Sequence, residues 1–289
     1  KQTAYRIIAK ADEKTVWDSG KVNSSSMRAE YPLPLSSRER IGWSVTLWDE
    51  NDCESEPSEP AYFETGLLSA SDFSAKWISG NYRVNKKKRY PVDCFKKQFH
   101  AQNIAKARLY ITACGLYEAK INGRRVGDFV LAPGHTDYTK RIQLQTYDVT
   151  ALLENGENEI TVDLADGWYR GSCGAWGLKN QYGTQTKLYA QLEIIEESGN
   201  RSMIGTDKSW AWSDDGKIRF ADNKDGEIIE AWRTPSYSGF AKETSCSVMP
   251  VSSNNVPVTE HEKFSVQNVI TTPNGAKVLN FGQNIAGYI

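Results

Sequence analysis

The chain lacks most of the features by which a sequence declares its chemistry. No CxxC pair occurs among its five cysteines, Cys53, Cys94, Cys114, Cys173 and Cys246, so neither a zinc site nor a redox pair is suggested. Odd in number and scattered, they fit a reducing, cytoplasmic compartment better than a disulfide framework. Net charge is almost absent: 35 basic residues against 36 acidic ones leave −1, which gives no basic footprint for nucleic acid. No run approaches the roughly 18 apolar residues of a membrane-spanning helix. No GxSxG, P-loop or GxGxxG precedes a helix, so serine-hydrolase, nucleotide and dinucleotide chemistry have no support. His100, His135 and His261 lie far apart, and none has a His or Cys partner at metal-ligand spacing. Lys1 opens the chain without a signal peptide, which says little about export. Asn23-Ser-Ser and Asn200-Arg-Ser match the glycosylation sequon, a triplet that often arises by chance.

Aromatic residues, in contrast, are plentiful, with nine Trp and fourteen Tyr in 289 residues. Aromatics favour strands and stack on sugar faces, although filling β-sandwich cores accounts for most of them. Helical periodicity is weak; only 148–154 (DVTALLE) suggests a short helical turn. Alternation with period two dominates instead. In 43–48 (WSVTLW), Trp43, Val45 and Leu47 share one face and Ser44, Thr46 and Trp48 the other, as in a half-buried strand. Strand-like segments 4–9 and 61–65 flank this one, with turn chemistry between them. Together they predict a small sandwich of the fibronectin III or immunoglobulin kind over residues 1–66.

Residues 67–76, rich in Ser and Ala, read as a linker. A larger antiparallel sandwich, expected to be a jelly roll, then spans 77–250. Its strands include Leu109, Ile111 and Ala113 on one face, Ile160, Val162 and Leu164 on another, and Leu188, Ala190, Leu192 and Ile194 on a third. Asn122-Gly123 is a hairpin signal, because a type I′ turn needs positive φ at both central residues. Residues 251–289, with the strand-like Val278–Phe281 and the apolar stretch Gly282–Ile289, read as the start of a further β domain. The expected class is therefore all-β throughout.

Four segments occur in one order and spacing: 110–126 (YITACGLYEAKINGRRV), 131–150 (LAPGHTDYTKRIQLQTYDVT), 154–171 (ENGENEITVDLADGWYRG) and 280–288 (NFGQNIAGY). Together they resemble the N-terminal region of bacterial α-L-rhamnosidases. Residues 17–21 (WDSGK) and 60–68 (PAYFETGLL) resemble the fibronectin-like domain that leads the same proteins. The resemblance covers nearly the whole chain. It implies that these domains precede an (α/α)6 barrel carrying the catalytic carboxylates, in a protein that releases terminal α-L-rhamnose with inversion. Inversion needs two carboxyl groups roughly 6.5–9.5 Å apart, and no such pair is assignable in this chain. The expected role is thus the non-catalytic front of a glycoside hydrolase. Its expected partners are rhamnose-containing glycans and its own catalytic barrel, with neither nucleic acid nor membrane. A pure scaffold, or an adhesion protein built from β modules, stands as the rival.

Candidate binding residues cluster after one strand. Asp166-Gly-Trp-Tyr-Arg-Gly171 offers a carboxylate and an Arg for sugar hydroxyls. Trp168, Tyr169 and then Trp176 offer ring faces. Asn180 and Tyr182, further along the 166–183 loop, could bond ligand hydroxyls, and long irregular loops are often functional. Core packing of the Trp residues and self-capping of the loop remain open alternatives. Asp128 and Asp137 flank 131–136 (LAPGHT) and present the hard oxygens that suit Ca²⁺; capping of the local turn is the competing reading. The resemblance adds that some rhamnosidases bind rhamnose through calcium in a jelly-roll module. Asp222, Asp225 and Glu227 form an acidic turn that could hold a cation but lacks the pattern of an EF-hand, and a solvated turn is the plainer reading.

Overall fold

The computed structural model describes residues 1–285 and 287. The chain is built almost wholly from strands, and it divides into two compact units. One comprises 1–127 and 131–255; the other comprises 128–130 and 256–289.

In the first unit, the N-terminal strands form a four-stranded antiparallel sheet in the order Lys14–Asp18, Ala4–Ala11, Arg40–Trp48, Ala61–Glu64. The alternation read in 43–48 is real, but its buried side at this end carries Thr46 and Trp48, while Trp43 and Leu47 stay partly in water. Tyr31 fills the space over the sheet, meeting Trp17 and Phe63 edge-on.

The rest of that unit holds two larger sheets and a separate two-stranded hairpin, Ile218–Asp222 with Gly226–Ile229. One takes Lys242–Thr244, Trp77–Ser79, Lys187–Glu196, Ile104–Cys114, Gln143–Asp148 and Val251–Ser252 in that order, with Arg201–Gly205 added beside Lys187–Glu196. The other takes Gly239–Phe240, Ala211–Ser213, Asp93–Ala101, Gly156–Ala165, Leu116–Ile121 and Arg124–Arg125. The apolar faces expected from period two are buried as sets: Leu109, Ile111 and Ala113 beside Leu188, Ala190 and Leu192 in one sheet, and Ile160, Val162 and Leu164 beside Phe95 in the other. A buried bond from the Tyr117 hydroxyl to the Gln145 amide oxygen, at 2.9 Å, links the two sheets. The Asn122-Gly123 turn has φ of 51° and 75°, as type I′ requires. The Asn122 side chain also ties the turn to Leu152 and Asn158. Thr150–Leu152 supplies the short helical turn expected in 148–154, as a 3₁₀ turn.

Arg108, Tyr110, Tyr189, Gln191 and Glu193 share one face of the first of these sheets, where the N-terminal sheet and residues 67–77 contact them. Leu67 packs with Tyr110, Leu144 and Tyr189, and Phe73, Ala75 and Trp77 lie against them. Ser69 and Asp72 form a capping box around a 3₁₀ turn at Ala70–Asp72. The Gln191 amide holds Ser74 and the Asp72 carbonyl. The stretch read as a linker is therefore bonded down along its length. Two ion-pair clusters fasten the N-terminal sheet beside it. Arg38 forks onto Glu193 with two 2.6 Å bonds and reaches Asp72 at 2.8 Å. Glu64 receives Arg108 at 2.9 and 3.0 Å and Lys106 at 3.0 Å.

Val251–Ser252 pairs in parallel with Gln143 and Leu144, so the chain stays with this sandwich past Pro250, as far as 255. The second unit contains one hairpin, Asn268–Thr271 with Lys277–Asn280, turned at Gly275, and a backbone bond from Val130 to Val258. Of the apolar stretch 282–289, Ala286, Tyr288 and Ile289 lie outside the described residues.

Candidate functional site

The strand Gly156–Ala165 delivers its chain directly into the loop that the sequence singles out. The loop does not begin irregular. Asp166 is followed by a single helical turn, Gly167–Arg170, closed by backbone bonds from Arg170 to Asp166 and from Gly171 to Gly167. Gly167 enters with φ of 51° where a β-carbon would strike Leu116, and a β-carbon on Gly171 would meet the Asp222 carboxylate. Both glycines are thus dictated by close approach.

That turn buries the charged groups of the motif. Arg170 is only 4% exposed. Its Nε donates to Asp166 Oδ1 at 2.8 Å and a second guanidinium nitrogen donates to the same oxygen. A third nitrogen donates to the Tyr82 hydroxyl, and the guanidinium lies 4.7 Å over the Tyr90 ring. Tyr82 stacks on Tyr90 and reaches Asp93 at 3.4 Å. Asp93, fully buried, also accepts from Thr186 at 2.7 Å and from the Trp212 indole at 2.9 Å. Burial pushes the Asp93 carboxyl up to about 6, against the Arg170 charge that pulls it down. Burial raises the Asp166 carboxyl as well, again opposed by Arg170. Asp166 and Arg170 therefore spend their bonding on the protein's own interior. Tyr169 is buried too, edge-on to Tyr138 in a cluster with Cys114 and Ile142. Tyr82, Asp93 and Tyr90 were not legible as members of this group, because they lie some eighty residues upstream and only the fold gathers them.

The aromatic side chains take the opposite course. Trp168 is half-buried, and its ring stacks on exposed His135 with centroids 5.2 Å apart and planes 25° apart. Tyr182, also half-buried, meets His135 edge-on and lies 5.2 Å from Tyr138. Asn180 has φ of 58°, and its backbone N–H is bonded to the Arg170 carbonyl at 2.9 Å. Between them, Cys173 and Leu178 exchange two backbone bonds and project a small lobe with Trp176 near its tip. Trp176 is 89% exposed. The acidic turn braces this lobe from the side. Asp225 pairs with Lys179 at 2.7 Å, Asp222 Oδ2 receives the Ser172 N–H at 2.6 Å, and Lys224 bonds the Gly174 carbonyl. His135, which stacks on Trp168, was considered in the sequence only as a metal ligand.

The residues considered for calcium do not fit one as they stand. Ca²⁺ takes six to eight oxygens. The Asp137 carboxylate is committed to Thr139, through its N–H at 3.0 Å and its hydroxyl at 2.6 Å, and lies near Lys140. Asp128 is exposed. Among the described residues no group of three or more His, Cys, Asp or Glu gathers to hold a metal, and no helix is long and apolar enough to cross a membrane.

Residues 102–272 match the model of the "Alpha-L-rhamnosidase N-terminal domain", and residues 1–69 that of the "Rha78A-like, N-terminal immunoglobulin domain". Among curated proteins, an α-L-rhamnosidase of Formosa agariphila is 37% identical over 258 residues, 82% of this chain and 28% of its own length. One from an Alteromonas species is 30% identical over 99% of this chain and 34% of its own. Among solved structures, native α-L-rhamnosidase from Aspergillus terreus superposes with a TM-score of 0.87 at 31% identity, over 99% of this chain and 35% of that one. The chain spans about a third of the length of the relatives it matches.

Proposed function

The chain belongs to the α-L-rhamnosidase family through that family's N-terminal domain, and on this premise we propose that it is the non-catalytic front of a rhamnoside-cleaving hydrolase that holds rhamnosides on its 166–182 loop. The cleaving carboxylates are assigned to the (α/α)6 barrel of the whole protein. Two observations support the reading: Trp176 is exposed on this loop, and Trp168 of the same loop stacks on exposed His135. A sugar presents a C–H face that packs on such rings, while its hydroxyls seek polar groups at the edge; Asn180 and Tyr182 are the groups proposed to meet them. Asp166, Tyr169 and Arg170 act from below, fixing the turn that aims Trp168.

One observation favours a scaffold instead. With Asp166 and Arg170 turned inward, few charged groups of the motif face solvent. Calorimetric titration of the chain with L-rhamnose decides between the two. Binding that is lost in Trp176→Ala or Trp168→Ala supports the sugar-holding loop. The absence of heat from a folded sample, or equal binding by both variants, assigns the loop to bracing the barrel. Repeating the titration in calcium and in EDTA tests for a cation: calcium dependence would mean that ligands beyond Asp128 and Asp137 complete a site.

A further inference from the structure

We propose that Cys246 and Cys114 form a peroxide-responsive thiol pair beneath the 166–182 loop, with Cys246 attacking and Cys114 resolving. The two are far apart in sequence, and the fold alone makes them neighbours. Cys114 ends the central strand Ile104–Cys114 and is buried. Cys246 follows the edge strand Lys242–Thr244 and is half-buried, so an oxidant can reach it from solvent. It packs against the cluster of Cys114, Tyr138, Ile142 and Tyr169. Lys187 stands opposite Cys114 in the sheet, and its Nζ bonds the Ser245 carbonyl, one residue before Cys246.

The surroundings prepare Cys246 to be the nucleophile. The neighbouring Cys114 thiol, then the Val248 backbone and the Lys187 charge, favour its thiolate. Lys187 is held there by its 2.7 Å bond to the Ser245 carbonyl, one residue away. These donors bring the Cys246 thiol down to about 6 despite burial. The same contact works in reverse on Cys114, which stays protonated. A thiolate that is accessible and adjacent to a resolving thiol is the arrangement of redox-sensing cysteines. Two of the others differ: Cys53 is exposed, and Cys94 is buried with its thiol pushed up by burial.

The chemistry balances with hydrogen peroxide as oxidant. The Cys246 thiolate attacks one peroxide oxygen, the O–O bond breaks, and the departing hydroxide takes a proton to leave as water, giving Cys246 sulfenic acid. The Cys114 sulfur then attacks the Cys246 sulfur, an S–S bond forms, the S–O bond breaks, and the Cys114 proton leaves with the hydroxyl as a second water. The disulfide would staple the segment after Lys242–Thr244 to the centre of the sheet. It would also repack the buried cluster that Cys114 shares with Tyr169.

The test is peptide mapping of the folded chain after brief exposure to hydrogen peroxide, without reductant. The expected product is one cross-linked peptide joining Cys114 to Cys246, reversed by dithiothreitol, with Cys246 reacting several-fold faster than Cys53. In Cys114→Ser, Cys246 should accumulate as a sulfenic acid captured by dimedone. In Cys246→Ser, Cys114 should remain a thiol. Modification of Cys53 or Cys173 before Cys246, or Cys246 reaching the sulfinic acid while Cys114 stays reduced, would overturn the pairing. So would a wild-type chain in which neither cysteine reacts.

Discussion

Replacing Arg170 by leucine withdraws the buried cation that is hydrogen-bonded to Asp166. Arg170 makes two bonds to the Asp166 carboxylate, one to the Tyr82 hydroxyl, and a stacking contact with Tyr90. Removing one partner of a buried pair costs about 3–5 kcal/mol, because the remaining charge is left in a poorly solvating interior. Asp166 has an escape, since it can take up a proton. Burial already raises its carboxyl, and loss of Arg170 raises it further. A group whose folded pKa lies above its unfolded value destabilises the fold as pH rises through that interval. The loss is therefore expected to be greatest near pH 8 and smaller near pH 5. Denaturant unfolding at both pH values measures it. The double variant Asp166→Asn with Arg170→Leu, which removes both charges, should lose less than Arg170→Leu alone. A single-variant loss below about 1 kcal/mol at pH 8, equal losses at the two pH values, or a double variant worse than the single one would refute the buried-pair reasoning.

Other parts of the structure give sharper or simpler tests. Arg38→Ala breaks three charge-assisted bonds, each worth about 1.5–3 kcal/mol where shielded, but the side chain is a quarter exposed; an overall loss of about 1–3 kcal/mol, shrinking in high salt, is expected in denaturant unfolding. Asp93, held up at about 6 against an ordinary 3.8, should make stability fall as pH rises from about 4 to 6 and level off above; Asp93→Asn should flatten that portion of the midpoint-versus-pH curve, and an unchanged curve would count against the shift. Asn122→Ala places a β-carbon-bearing residue with no polar tip at φ of 51° and deletes the bonds to Leu152 and Asn158; about 1–3 kcal/mol should disappear, read from thermal unfolding. Trp176→Ala, at an exposed tip, should leave stability within about 0.5 kcal/mol, so that any loss of sugar binding reports on the surface and not on folding.

What was legible in the sequence had a local cause. A period of two puts alternate residues on opposite faces, so Ile160, Val162 and Leu164 had to share a face wherever the strand lay. The Asn122-Gly123 turn followed from two residues that tolerate positive φ. The segment order that resembles rhamnosidases was legible for the same reason: it is a string of such local signals. The 166–183 loop was marked by its composition, but the division of labour within it was not. Asp166 and Trp168 sit two residues apart, and only the helical turn Gly167–Arg170 sends one down and the other toward the surface.

The sequence by itself determined the class of the protein, its strand-rich sandwiches, its family and the loop where its aromatics gather, because patterning and turn chemistry act over a few neighbouring residues. The tertiary structure alone decided who meets whom across long separations. It set Arg38 on Glu193, Arg170 on Tyr82, His135 under Trp168 and Cys246 on Cys114. Those pairings depend on which strands lie side by side and which segments fold over the sheet's outer face. Period-two alternation fixes a side chain's face but not its neighbour, and the neighbour determines whether a carboxylate meets a sugar or a guanidinium.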